Sequence, residues 1–154
     1  LLYPRYDRRP HVTVAFCGLA PEHGATPADL LYGDDERAAD LRRLDALGPS
    51  PFTLRIDGWD TFTTSPHLSV VGIDYLLPLH EALTAYRPSG ADIFVPHVTV
   101  GLYGAEVALK EVEARMAGWS APPIDVDVTE LVLARYNTAD ILGPLTEVSR
   151  FRLA

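Results

Sequence analysis

The feature that most constrains this chain is a pentapeptide that occurs twice, letter for letter: Pro10-His11-Val12-Thr13-Val14 and Pro96-His97-Val98-Thr99-Val100, 97 − 11 = 86 residues apart. Each copy is followed by a small residue, Ala15 or Gly101, then an apolar one, Phe16 or Leu102, and after one further position a glycine, Gly18 or Gly104. A spacing of 86 residues is too long for a solenoid repeat and too short for two full-sized domains. It predicts two related lobes of one domain over residues 1–154.

The β-branched run in each copy reads as strand. Residues two apart on a strand share a face, so His11 and Thr13 project together while Val12 and Val14 turn inward, and likewise for His97 and Thr99 against Val98 and Val100. Two imidazole–hydroxyl pairs meeting across a cleft suit phosphodiester chemistry. A neutral histidine accepts a proton from the attacking oxygen and a protonated one supplies the leaving oxygen. Histidine is the side chain whose unperturbed pKa serves both tasks. The threonine hydroxyls hold the non-bridging oxygens as charge builds. The plainer reading, two ordinary strands with hydrogen-bonded core histidines, gives no reason for the polar pair to share a face twice.

Between and after the copies, the periodicity predicts helices over 35–47, 75–86 and 106–116, and strands over 11–17, 52–59, 68–72, 94–103, 124–128, 130–136 and 146–153. The short connections from Trp59-Asp60 to Leu68 and from Asp127 to Leu131 read as hairpins or bulges. That pattern favours a mainly antiparallel sheet with helices outside it, an α+β architecture.

Net charge −8 argues against a DNA-binding role, although Arg5, Arg8 and Arg9 give a local basic stretch before the first motif, which is also readable as a solvated turn. No apolar run reaches the roughly 20 residues of a membrane span. The first ten residues lack a signal-peptide pattern, and the single cysteine, Cys17, allows no intrachain disulfide; the cytoplasm is the expected location.

With these residues in hand, the chain resembles the two-histidine (2H) phosphoesterases, whose bacterial branch includes 2′-5′ RNA ligase-like proteins and RNA 2′,3′-cyclic phosphodiesterases. The likeness rests on His11-Val-Thr13-Val and His97-Val-Thr99-Val, and extends to Phe52–Phe62, Glu130–Tyr136 and the closing stretch 143–153. It implies a two-lobed, duplicated βαβαβ-type fold around a central cleft, and a further strand and helix upstream of Leu1. It also implies opening of a 2′,3′-cyclic phosphate or processing of a 2′-5′ linkage, with no metal or other cofactor. His11, Thr13, His97 and Thr99 are the catalytic candidates it carries over, with the acid and base roles left open. Arg135 and Tyr136 are substrate-binding candidates by their place in the family-like strand, beside Arg9 from the basic stretch. The second motif runs into Gly101-Leu-Tyr-Gly104 where many RNA-processing relatives carry a basic residue, so a nucleotide or short RNA 3′ end is a better partner than long RNA. Tyr103 is a candidate base-stacking residue or a buried strand-end tyrosine. A monomer is expected. The alternative function is a nucleotide- or RNA-end-binding module with a non-catalytic pocket.

The remaining histidines read as structural or exposed: His67 in an exposed loop or at the cleft mouth, His80 in a helix, and His23 outside the repeat. No His-x-His, His-Glu-x-x-His or paired-cysteine spacing supports a zinc site. Cys17 is expected to be a buried thiol, Arg55 is a weaker phosphate-contact candidate, and Asp34-Asp35-Glu36 is expected to cap the helix that follows.

Overall fold

The computed structural model describes residues 1–21, 30–85 and 93–154. Its elements run α1 (Asp34–Leu47), β1 (Phe52–Thr61), β2 (Pro66–Val71), α2 (Leu76–Thr84), β3 (His97–Thr99), α3 (Leu109–Met116), β4 (Ile124–Val128), β5 (Glu130–Arg135) and β6 (Thr146–Arg152). One sheet has the order β3-β2-β1-β4 and a second pairs β5 with β6. Every named pairing is antiparallel. The α+β class expected from the alternating pattern is the one observed. His23 and the expected end of the second helix at Tyr86 lie outside the described residues.

Local chemistry sets the ends of α1. Its first turn carries Asp34, Asp35 and Glu36, which suit the positive end of a helix dipole. The Gly33 N–H donates to Glu36 Oε2 at 2.8 Å, and that bond holds the Glu36 carboxyl below its ordinary pKa. Gly48 closes the helix at φ 56°, its N–H bonded to the Leu44 carbonyl, a left-handed cap that glycine adopts without strain. On β1, Phe52 and Leu54 are buried while Thr53 and Arg55 are exposed, the alternation of a half-buried strand.

The core lies between this sheet and the first two helices. Leu44 of α1, Phe52 and Leu54 of β1, and Leu76, Leu79 and Leu83 of α2 form it with Leu153. Val70 packs against it from the sheet, Val12 and Val14 from the first motif segment, and Leu131 and Phe151 from the smaller sheet. Asp40 is buried in α1, where it accepts from the Tyr32 hydroxyl at 3.0 Å and from Arg43 at 3.3 Å. Those bonds offset the cost of removing a carboxylate from water.

Several elements depart from the pattern-based expectation, for identifiable reasons. The strand expected over 94–103 is only His97–Thr99. The β2–β3 register pairs Ser69 with His97 and His67 with Thr99, so the next positions set Val70 against Pro96 and Pro66 against Val100. Val100 N–H does donate to the Pro66 carbonyl at 3.1 Å, but neither proline has an N–H to return, and the ladder stops at both ends. The strand expected over 11–17 is also not a strand: its single pairing is a bridge from Val12 to Val98. A three-residue β3 offers a neighbour little to pair with. The turn expected between Asp127 and Leu131 joins two sheets rather than two paired strands, because β4 pairs with β1 and β5 with β6. Finally, α3 starts at Leu109 rather than at 106, after an extended Ala108.

The chain that precedes the first motif reinforces the same edge. Tyr3 N–H donates to the Leu102 carbonyl and Gly104 N–H to that of Leu1, both at 2.9 Å. A Cβ on Gly104 would sit 3.3 Å from the Tyr3 nitrogen, so the glycine permits this close approach.

Candidate active site

The Val12–Val98 bridge is antiparallel, so one step away His11 lies across from Thr99, and Thr13 across from His97. Val12 and Val14 pack on the core and Val98 is buried, which leaves the two histidines and two threonines on the opposite face of the sheet. Diagonal neighbours of this kind are separated by about 7–8 Å, a span that a phosphate can bridge. His11, His97 and Thr99 are half-buried and Thr13 is exposed. The Val12–Val98 bridge thus brings the four side chains onto one face.

Both imidazoles are oriented in the same way. His11 Nδ1 lies 2.8 Å from the Arg9 carbonyl and His97 Nδ1 lies 2.7 Å from the Val95 carbonyl, each two residues upstream. A carbonyl oxygen only accepts, so Nδ1 carries the proton in both rings, and Nε2 is the nitrogen left for proton transfer. The repeat thus reproduces ring orientation and tautomer as well as residue type.

The second motif has histidine company that the sequence reading placed elsewhere. His67, expected in an exposed loop or at the cleft mouth, is 3% exposed and lies on β2. Its ring stacks on Phe62 at 4.2 Å and lies 5.0 Å from that of His97. The signal for it was present: Pro66-His67-Leu68-Ser69-Val70 has the same Pro-His-aliphatic-hydroxyl-Val order as the two identical segments. Burial, and next the charge of His97, push His67 below the ordinary histidine pKa, with Asp60 and the Ser65 backbone pulling the other way.

The substrate-binding candidates are placed unequally. The Tyr103 hydroxyl is 2.7 Å from Thr61 Oγ1 at the end of β1. Arg135 is exposed at the end of β5. Tyr136 lies under the Arg8 guanidinium at 4.4 Å, so Arg8, which was not singled out, links that loop to the first motif. Arg9 is exposed, and its carbonyl orients His11. Arg5 is neutralised by Asp7 and Asp140, each at 2.6 Å, which leaves Arg8 and Arg9 without an ion pair among the described residues, and of the two Arg9 is the exposed one. Arg55 pairs with Asp57 and Asp125 at 3.6 and 3.5 Å. His80 is structural, as expected: its Nδ1–H donates to the Val14 carbonyl at 2.7 Å and its ring stacks on Phe94. Cys17 is half-buried rather than buried. Among the described residues no group of three or more His, Cys, Asp or Glu could hold a metal ion, and no helix is long and apolar enough to cross a membrane.

Solved structures share this architecture. Escherichia coli LigT complexed with 3′-AMP matches with TM-score 0.60 at 18% identity, over 94% of this chain and 76% of LigT. A structure described as a phosphoesterase matches with TM-score 0.62 at 18% identity, over 98% of this chain and 84% of its own. LigT complexed with ATP gives 0.58 at 17%, over 99% and 84%. No curated protein matches the sequence. The profile of the 2′-5′ RNA ligase superfamily matches residues 1–140. The chain belongs to that superfamily.

Proposed function

We propose that the protein is a metal-independent phosphodiesterase that opens a 2′,3′-cyclic phosphate on a nucleotide or RNA end, or processes 2′-5′ linkages. The observation that carries this reading is the pairing of two His-x-Thr segments through Val12 and Val98, with both imidazoles presenting Nε2. In the hydrolytic direction, one Nε2 takes a proton from water as its oxygen bonds to phosphorus. The other, protonated, gives its proton to the ribose oxygen as the P–O bond breaks. Thr13 and Thr99 donate to the non-bridging oxygens. The 3′-AMP and ATP in the LigT structures support a nucleotide as the ligand class. Exposed Arg9 supplies a charge for its phosphate, with Tyr103, Arg135 and Tyr136 as further contacts.

The test is a panel of 2′,3′-cyclic nucleotides and short 2′-5′-linked oligonucleotides with EDTA present. Turnover with a bell-shaped pH dependence is expected, and H11A and H97A should each lower it by about 10²–10⁴-fold. Near-wild-type turnover in either variant overturns the assignment, and loss of activity with EDTA overturns metal independence. Nucleotide binding without turnover at any pH identifies a binding module instead.

A further inference from the structure

Three segments of this chain, at 10–14, 66–70 and 96–100, have the order Pro-His-aliphatic-hydroxyl-Val. In the fold they lie side by side. Val98 is opposite Val12 on one side and Leu68 on the other. His11, Thr99, His67 and Asp60 therefore form one row across the sheet, and Thr13, His97 and Ser69 form the next. Both rows lie on the face opposite the core.

The third histidine differs from the other two in three respects. It is 3% exposed, whereas His11 and His97 are half-buried. Its Nδ1 faces the Ser65 backbone without a hydrogen bond of normal geometry, whereas theirs donate to the carbonyls two residues upstream at 2.8 and 2.7 Å. It also completes a cluster of three rings: Phe62 stacks on His67 at 4.2 Å and meets His97 edge-on at 4.8 Å, while His67 and His97 are 5.0 Å apart. His11 has no ring neighbour of this kind among the described residues. A group so enclosed, beside an imidazole that becomes a cation during turnover, does not take up a second proton readily. It can hold its neighbour in place.

We propose that His67 is a positioning residue for His97: with Phe62 it clamps the His97 ring in the orientation that keeps Nδ1 on the Val95 carbonyl and leaves Nε2 for proton transfer. This rests on the reading that His97 transfers a proton. The groups facing His67 are Asp60 at the end of β1 and Phe62 just after it, Thr99 and His97 on β3, and the backbone of Ser65. The clamp needs a flat uncharged ring at position 67 and makes no use of its proton.

Two readouts on the folded chain test this: cyclic-nucleotide kinetics, and ¹⁵N spectra of the His97 imidazole, which report the tautomer whether or not the chain turns over. H67A should lower kcat by about 30-fold with KM nearly unchanged, and should convert His97 from a single Nδ1-protonated tautomer to a mixture. H67F, which restores the ring, should recover both. If H67A does not fold, F62L removes the other wall of the clamp and should shift both readouts in the same direction. Wild-type kcat and tautomer in H67A, or equal losses in H67A and H67F, overturn the proposal. A wild-type chain that turns over no cyclic phosphate, but whose His97 tautomer follows this pattern, sinks the enzymatic reading and leaves the clamp standing.

Discussion

Val12 and Val98 are paired in an antiparallel bridge between the two copies of the repeat. Their side chains turn toward the core, and their pairing sets His11 across from Thr99 and Thr13 across from His97. Each histidine therefore neighbours the hydroxyl of the other copy as well as its own, and the four groups are arranged with local two-fold character.

The threonine hydroxyls should matter in the transition state more than in binding. T13V and T99V keep side-chain shape and remove one donor each. Each is expected to lower kcat toward cyclic nucleotides by about 10²–10³-fold, the usual effect of losing one donor to a developing negative charge. Steady-state kinetics checks this, and unchanged kcat in both variants would remove the threonines from the mechanism.

The buried third histidine makes a prediction about acid stability. Its folded-state pKa lies below the ordinary value of 6.5, so between the two values the unfolded chain binds a proton that the folded chain does not. Stability therefore rises with pH through that window, the penalty is fully present below it, and it is absent above about 6.5. Urea unfolding from about pH 5 to about pH 8 should show this slope in the wild type and a flatter one in H67F. Superimposable curves would refute the prediction.

The core offers a larger effect without touching the site. Leu79 is 1% exposed and lies among the leucines of α1, β1 and α2. L79A should lower unfolding free energy by about 2–5 kcal/mol through lost burial and a residual cavity. Urea titration measures it, and a change below about 1 kcal/mol would show that the surroundings close over the gap.

Gly18 follows the first motif at φ 132°, and a Cβ there would meet the Leu30 carbonyl oxygen at 2.6 Å. Leu19 N–H donates to that same oxygen at 2.7 Å, so the backbone cannot move away without losing a bond. G18A should cost about 1–3 kcal/mol of stability, read by thermal unfolding. A melting temperature equal to wild type would mean that the Leu30 segment moves freely.

Local and periodic features carried much of the fold. The alternation in Phe52-Thr-Leu-Arg marked β1, Gly48 closed α1 where a left-handed cap was needed, and the acidic triplet at 34–36 sits in the first turn of that helix. The exact repeat pointed to the four side chains that the sheet gathers. These properties depend on neighbours close in the chain, which side-chain periodicity and backbone preference report directly.

What sequence could not decide depends on partners far along the chain. The two motif strands shrank to a bridge and a three-residue strand because Pro66 stands across from Val100 and Pro96 across from Val70, a coincidence of register that no local window contains. His67 was expected in an exposed loop or at the cleft mouth; only pairing with β3, and the Phe62 ring stacked on it, bury it beside His97. Arg8, one of three similar arginines, was distinguished only when the fold brought Tyr136 beneath it. The sequence by itself determined the repeated His-x-Thr segments and the α+β class. The tertiary structure decided which of those groups meet, because burial and hydrogen-bond register come from contacts between segments.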